Sequence, residues 1–390
     1  MIPANSGLAA ASNLALPAKL VKVGGVVASL LLTFIGLTAI TFTIGRVMPA
    51  DPVLAIVGDR ASQEVYDQVF LQLGLDKPIY IQYFKYLGQL LQGDLGTSVM
   101  TGQPVADDIL RFFPATLELA TVATLLGVFV GIPMGVLAAV NQGRWIDHVV
   151  RIIGLIGYSA PIFWLGMIAI LIFYFKLDWV AGPGRLDVFY DSIVDPVSGI
   201  LILDAALAGE WEIFHNAISH LILPSSILGT FALAYIARMT RSFMLDQLSQ
   251  EYILTARVKG IPEWQVIWGH AFRNVLVQLI TIIGLTYASL LEGSVLTETI
   301  FSWPGIGLYI TNSLFNNDMN AVLGGTIVVG ICFVGINMLS DLLYKLVDPR
   351  VRCCQRRHCA AGCWPKFRNR SRRRAVSGCS SAGWHSSATR

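Results

Sequence analysis

Six stretches of this chain are apolar over about 20 residues each, the length of helix that crosses the hydrocarbon core of a bilayer. They fall at 23–44, 119–140, 152–175, 221–237, 275–296 and 321–340, and only the fifth holds an acidic or basic residue, Glu292. Lipid offers no hydrogen bonds to a peptide group, so each stretch is expected to be a helix that satisfies its own backbone. The composition agrees. Apolar side chains make up 54% of the 390 residues and charged ones 14%, against about 25% charged in water-soluble domains. The sequence therefore predicts an all-α membrane protein with six transmembrane helices. The first stretch follows Lys19 and Lys22 as a signal peptide would, but it is too long and lacks a small-residue cleavage pattern, so it reads as an uncleaved helix.

Charge placement sets the expected orientation, because basic loops stay in the cytoplasm. With the N-terminus inside, the cytoplasmic segments hold 21 of the 28 Lys and Arg residues and six of the 25 acidic ones. The opposite side then holds seven basic and 19 acidic residues, so both termini are expected in the cytoplasm. The chain accordingly divides into a cytoplasmic N-terminus (1–22), a first span (23–44), an extracytoplasmic loop subdomain (45–118) and a helical core (119–350). Within the core lie an acidic extracytoplasmic loop, 176–220, and one sizeable cytoplasmic loop, 243–274. The apolar run 200–207 is short and interrupted by Asp204, which suits a surface helix.

The net charge of +3 belongs to the tail, since ten basic and no acidic residues follow Val351. Without them, 18 basic against 25 acidic residues leave −7, which argues against a nucleic-acid-binding body. Five of the six cysteines also lie there, leaving Cys332 alone in an apolar run. Segment 351–390, rich in Cys, Arg, Ser and Trp without apolar period, is expected to be disordered and reads as foreign to the rest. The alternatives for it are contact with anionic membrane lipid or metal binding by its cysteines.

The cytoplasmic loop changes character. Leu245, Leu248, Tyr252, Ala256 and Lys259 recur at helical spacing; Gly260, Ile261 and Pro262 break the run; Trp264, Ile267, Trp268 and Phe272 follow as the apolar positions of a second short helix. Two amphipathic helices at a membrane surface need cover for their apolar faces. Spacing alone leaves the bilayer interface and a groove on another protein both open.

The stretch TARVKGIPEWQVIWGHAFRN from Thr255 resembles the coupling loop of binding-protein-dependent ABC importer permeases. Leu254, Thr255, Ala256 and Gly260 occupy the places of that family's pattern, while its Glu, its first Ala and its later Leu-Pro are missing. The resemblance extends through MPADP at Met48, LGLDKPIYIQY at Leu73, GDLGTSV at Gly93, FPATLELA at Phe113 and YSAPIFWLG at Tyr158. It continues through LILP at Leu221, RMTRSFML at Arg238 and LTETIFSWPGIG at Leu296, and it is nearest to the peptide and nickel branch. It implies a type I importer permease fold and a dipeptide importer of the bacterial inner membrane. The implied partners are a homologous second permease, two ATPase subunits and a periplasmic peptide-binding protein.

The resemblance further implies that Tyr252, Ala256, Trp264 and Ile267 contact the ATPase, that Arg257 and Lys259 meet its acidic residues, and that Gly260 permits the turn. No phosphate-binding GxxxxGK[ST] loop occurs in this chain, so ATP and Mg are expected on the partners, and the chain itself is not expected to be an enzyme. Phe301, Trp303, Pro304 and Gly305 resemble an outer loop facing the delivery protein, with an aromatic membrane anchor as the alternative. Glu298 is either a ligand for a peptide amino terminus or a loop hydrogen-bonding residue. Glu292 either lines the substrate cavity or reaches toward the outer surface.

Gly127, Gly131 and Gly135 form a small-residue stripe suited to close helix packing. Pro133 and Pro161 are expected to bend their helices. His215 and His220, near Asp204, Glu210 and Glu212, are too far out of phase on a helix to favour a metal site. Other cargo, an ion-coupled transporter and a membrane enzyme are the rival functions.

Overall fold

The structure is a computed structural model and describes residues 18–47, 52–58, 61–190, 193 and 197–347. The expectations for segment 351–390 and for most of MPADP lie outside those residues. Regular structure among the described residues is helical apart from one bridge, Thr97 with Pro104. The elements are α1 (Ala18–Val47), α2 (Pro52–Val57), α3 (Gln63–Leu73), α4 (Ile79–Leu91), α5 (Val105–Val140), α6 (Trp145–Ser159) and α7 (Ile162–Ala169), which runs on as a π-helix (Ile170–Lys176). Then come α8 (Leu201–Ala208), α9 (Trp211–Leu248), α10 (Glu251–Val258), a π-helix (Gln265–Ala271) leading into α11 (Phe272–Gly293), α12 (Val295–Ile300), α13 (Ile306–Phe315) and α14 (Met319–Val347).

Four of these are long and apolar enough to cross a membrane: α5, α9, Gln265–Gly293 and Met319–Ser340. Counted as one span, α6 and α7 with its π-helix make a fifth. The window at 23–44 lies on α1, where Leu31–Thr43 is a shorter apolar stretch. The apolar windows underestimate two helices. The 36 residues of α5 extend about 54 Å at 1.5 Å per residue, beyond the roughly 30 Å of hydrocarbon. Its first turn carries Asp107 and Asp108, placed to favour a helix N-terminus. Residues 105–118 thus continue this helix, and 211–220 begin α9.

The third window is not one straight crossing. α6 and α7 meet at 99°, because Pro161 has no N–H to continue the ladder and forces the preceding residue out of the helical region. Ala160 has φ −73° and ψ 131°. Pro133, in contrast, sits inside the unbroken α5.

At the centre, α5 and α9 run parallel at very short range. A Cβ on Gly127 would lie 2.7 Å from Ala232 Cβ, and one on Gly135 would lie 2.6 Å from both the Ala237 carbonyl oxygen and Thr240 Cβ. A Cβ on Gly131 would meet the Leu233 carbonyl oxygen at 3.0 Å. Without a competing solvent, such close backbone approach is a main source of attraction between membrane helices. The neighbours alternate in direction: α11 lies antiparallel to α14, with Gly284 opposite Ser340, and α1 lies antiparallel to α14, with Gly330 opposite Leu37. The start of α5 and the residues after α11 therefore meet at one end, and the end of α9 and α10 meet at the other.

Candidate functional site

The bend after α9 is built from local backbone chemistry. α10 ends in a left-handed residue, Gly260, with φ +77°. The Gly260 N–H donates to the Arg257 carbonyl at 2.9 Å and the Ile261 N–H to the Ala256 carbonyl at 3.3 Å. This pair of bonds is the Schellman closure, which satisfies two carbonyls at the helix end and requires positive φ at the position Gly260 fills. Beyond Pro262 the second arm is not the separate short helix expected. Its residues form the π-helical start of one rod that continues through α11.

The predicted bend residues divide between two faces. Ala256 is buried with Met244, Ile253, Val266, Ala271 and Val275, and Ile267 packs against the same cluster. Tyr252 is pinned at its hydroxyl, which donates to Gln247 and accepts from Asn274, both at 3.0 Å. Arg257 bridges the turn to Glu263 at 2.9 Å, an exposed pair of small energetic weight. Lys259 is exposed. Standing out of the bend are Trp264 at 65% exposure, Leu254 at 64% and Val258 at 81%. Leu254 and Val258 were not singled out as site residues. Their separation of four puts them on one helix face, a signal available in the sequence but masked by the stronger stripe through Tyr252 and Ala256.

At the opposite end of the molecule, FSWPGIG folds inward. Phe301 and Trp303 are buried, and the Trp303 indole N–H donates to the Ala115 carbonyl on α5 at 2.9 Å. The Arg185 guanidinium lies 5.9 Å from the centre of the same ring. Phe301 and Trp303 thus turn toward the helices while Ser302 between them is exposed. Pro304 is half-buried.

Glu298 is fully buried. It accepts from Thr116 Oγ1 at 2.7 Å, from Ser294 Oγ at 2.8 Å and from the Leu308 N–H, in the first turn of α13, at 3.0 Å. Thr116 in turn accepts from the Ile306 N–H at 2.8 Å. A carboxylate and a hydroxyl thus occupy the N-terminus of α13, where unpaired N–H groups collect. Burial pushes the Glu298 carboxyl above its ordinary range, opposed by these hydrogen bonds. A side chain on Gly305 would overlap the Glu298 carboxyl, which explains the glycine. Among its two readings, Glu298 follows the loop hydrogen-bonding one in this structure.

The same end carries three further carboxylate anchors that tie loops to helices. Glu118 accepts from Arg185 and from the Ile202 N–H. Asp204 accepts from the N–H groups of Ser198 and Gly199 and from the Ser198 hydroxyl, so it faces inward while Leu203 and Leu207 of α8 are exposed. These bonds hold the Asp204 carboxyl below the usual range even though burial pushes it up. Asp318 accepts from Ser98 Oγ at 2.6 Å and from the Val99 N–H at 2.7 Å. His220 pairs with the Gly182 carbonyl and Asp187, and His215 with the Trp211 carbonyl. No group of three His, Cys, Asp or Glu among the described residues is placed to hold a metal.

Glu292 is exposed near the end of α11 and shares a helix face with Asn274, Gln278 and Ser289, all exposed, at separations of four, eleven and three. Polar groups on a membrane span are costly against lipid, so this stripe requires water or a protein partner. Its three amide and hydroxyl members were missed in the sequence because none is charged.

Comparison with known proteins identifies the family. The model described as "Binding-protein-dependent transport system inner membrane component" matches residues 131–352, and that for the N-terminal part of such components matches 21–120. A probable D,D-dipeptide transport system permease of Escherichia coli is 46% identical over 322 residues, 83% of this chain and 94% of that protein. A di/tripeptide transport system permease of Pseudomonas aeruginosa is 44% identical over 321 residues, 82% of this chain and 95% of that one. Among solved structures, an inward-facing MetNI methionine ABC transporter aligns with TM-score 0.45 and 17% identity, over 62% of this chain and 96% of that one. The family match spans more than half of the chain, and the E. coli and P. aeruginosa relatives match over nearly their whole length. This multi-pass membrane protein therefore belongs to the binding-protein-dependent transport system inner membrane components.

Proposed function

We propose that the chain is one permease subunit of an ATP-driven importer that carries dipeptides across the bacterial inner membrane. The partners are a homologous second permease, two ATPase subunits that bind ATP and Mg, and a periplasmic peptide-binding protein. The observation that carries the cargo is the 46% and 44% identity to permeases named for D,D-dipeptides and di/tripeptides, over 94% and 95% of their lengths. In this reading the charge asymmetry sets both termini and the Gly260 bend in the cytoplasm. Trp264, Leu254 and Val258 then enter a groove on the ATPase, with Lys259 at its rim, and Arg257 and Glu263 hold the turn between them. Support comes from their exposure and from the continuity of the second arm with α11, which carries displacement of the bend into the span. Ala256 and Ile267 act behind that surface by packing, and Tyr252, itself exposed, by its hydrogen bonds to Gln247 and Asn274.

The polar stripe ending at Glu292 faces the translocation path between the two permeases, where Glu292 favours cationic or amino-terminal groups. Its exposure and polarity support this placement.

The test is reconstitution of the five-subunit importer in proteoliposomes with a labelled dipeptide. Uptake should require ATP and all partners, and Glu292→Gln should lower it for cationic more than for neutral dipeptides. Uptake by the permeases alone, driven by an ion gradient, would overturn the class. Equal loss or no loss across peptide charges would overturn the role of Glu292.

A further inference from the structure

A groove of about 700 Å³ runs between α6 and α9, apart from the coupling bend and the buried cluster. The two helices are antiparallel there, with Asp147 opposite Arg241 and Gly157 opposite Thr230. The end nearest the turn from α5 to α6 is cationic, lined by His148, Arg151, Arg238 and Arg241. Moving along α6, the lining becomes apolar and aromatic through Ile152, Leu155 and Tyr158. Of the three guanidiniums, only that of Arg241 makes a close ion pair, with two bonds to Asp147 at 2.6 and 2.8 Å, while the Arg151 charge acts on Asp147 from farther away.

The Arg238 guanidinium lies 4.7 Å from the centre of the Tyr158 ring and 5.6 Å from that of Tyr235. Stacking on a ring face leaves its N–H edges free. Neither Arg238 nor Arg151 has an ion pair among the described residues. Arginine edges match a phosphate bidentately. The outer face of α6 beside the groove, Val149, Ile153 and Ile156, is exposed and purely apolar, a surface fit for acyl chains.

We propose that this groove binds an anionic phospholipid. The headgroup phosphate sits between Arg151 and Arg238, and an acyl chain follows Ile152 and Leu155. Basic pockets between membrane helices on the positively charged side of a protein take such headgroups. The recognised chemistry is a phosphate oxyanion, which inorganic phosphate shares, but the apolar half of the groove has a partner only if the anion bears a hydrocarbon tail.

The test uses the full transporter in detergent and native mass spectrometry with phosphatidylglycerol or phosphatidylcholine of matched chains. The wild type should retain phosphatidylglycerol preferentially. Arg151→Gln and Arg238→Gln should each weaken its retention about fivefold, the equivalent of about 1 kcal/mol per basic residue near an anionic headgroup. The Lys variants should keep most of it. Equal retention of the two lipids by the wild type needs no variant to interpret and would overturn the proposal. So would undiminished retention by the double Gln variant, displacement of the lipid by inorganic phosphate or by a dipeptide, or crosslinking of the second permease into the groove from cysteine at position 155.

Discussion

Replacing Gly260 with alanine tests the coupling bend with little collateral damage, because a Cβ there meets no atom within 4 Å. The cost is then conformational alone. An L-residue in the left-handed region loses roughly 1–2 kcal/mol, equivalent to a factor of about 5–30 in a local opening equilibrium. That loss falls on the closure made by the Gly260 and Ile261 N–H groups, not on the α5–α9 contact. Hydrogen exchange of the assembled importer should show faster exchange at those two amides by about that factor, with the centre of α9 unchanged. Asparagine should be milder than alanine, since it tolerates the left-handed region, and valine harsher because its branched side chain does not.

Peptide uptake per ATP hydrolysed should fall in the same order, since a frayed bend transmits less displacement to α11. Gly269→Ala is the control, with nothing within 4 Å and no positive φ. If Gly260→Val left both amides protected and uptake intact, the role assigned to the bend would be wrong.

Three further outcomes are expected. Gly135→Ala should destabilise the complex by about 1–3 kcal/mol through overpacking, whereas Gly154→Ala, whose nearest atom is 3.9 Å away, should not; matching melting temperatures would refute the packing account. Glu298→Ala strands the part-buried Leu308 N–H, costing about 1 kcal/mol or more, and should lower the melting temperature without altering preference among charged peptides; a changed preference would revive direct contact with cargo. The Asp204 carboxyl titrates lower in the fold than in the unfolded chain, so its contribution is complete above the ordinary value of 3.8 and is lost as pH falls through the depressed one. Segment 197–208 should therefore become protease-sensitive in acid, and Asp204→Asn should remove that pH dependence.

What the chain alone determined follows from solvent and local backbone rules. Lipid demands long apolar helices, and the turn at Gly260 closes by bonds to residues three and five positions earlier. These were legible because each depends on neighbours in sequence. The glycine stripe announced a close approach, though its partner, Ala232 to Thr240 on α9, lies about 100 residues away.

Tertiary structure decided which side of each feature faces in. The sequence places FSWPGIG just outside the fifth span, but only the fold shows that Trp303 and Ile306 hydrogen-bond to Ala115 and Thr116 of α5, almost 190 residues away in the chain. Ala256 and Val258 differ by two positions yet point to a core and to open space, because only the packing of Met244 and Val275 tells the faces apart. The break at Pro161 was legible from local backbone chemistry, whereas the continuous rod through residues 265–293 appeared only in the tertiary structure.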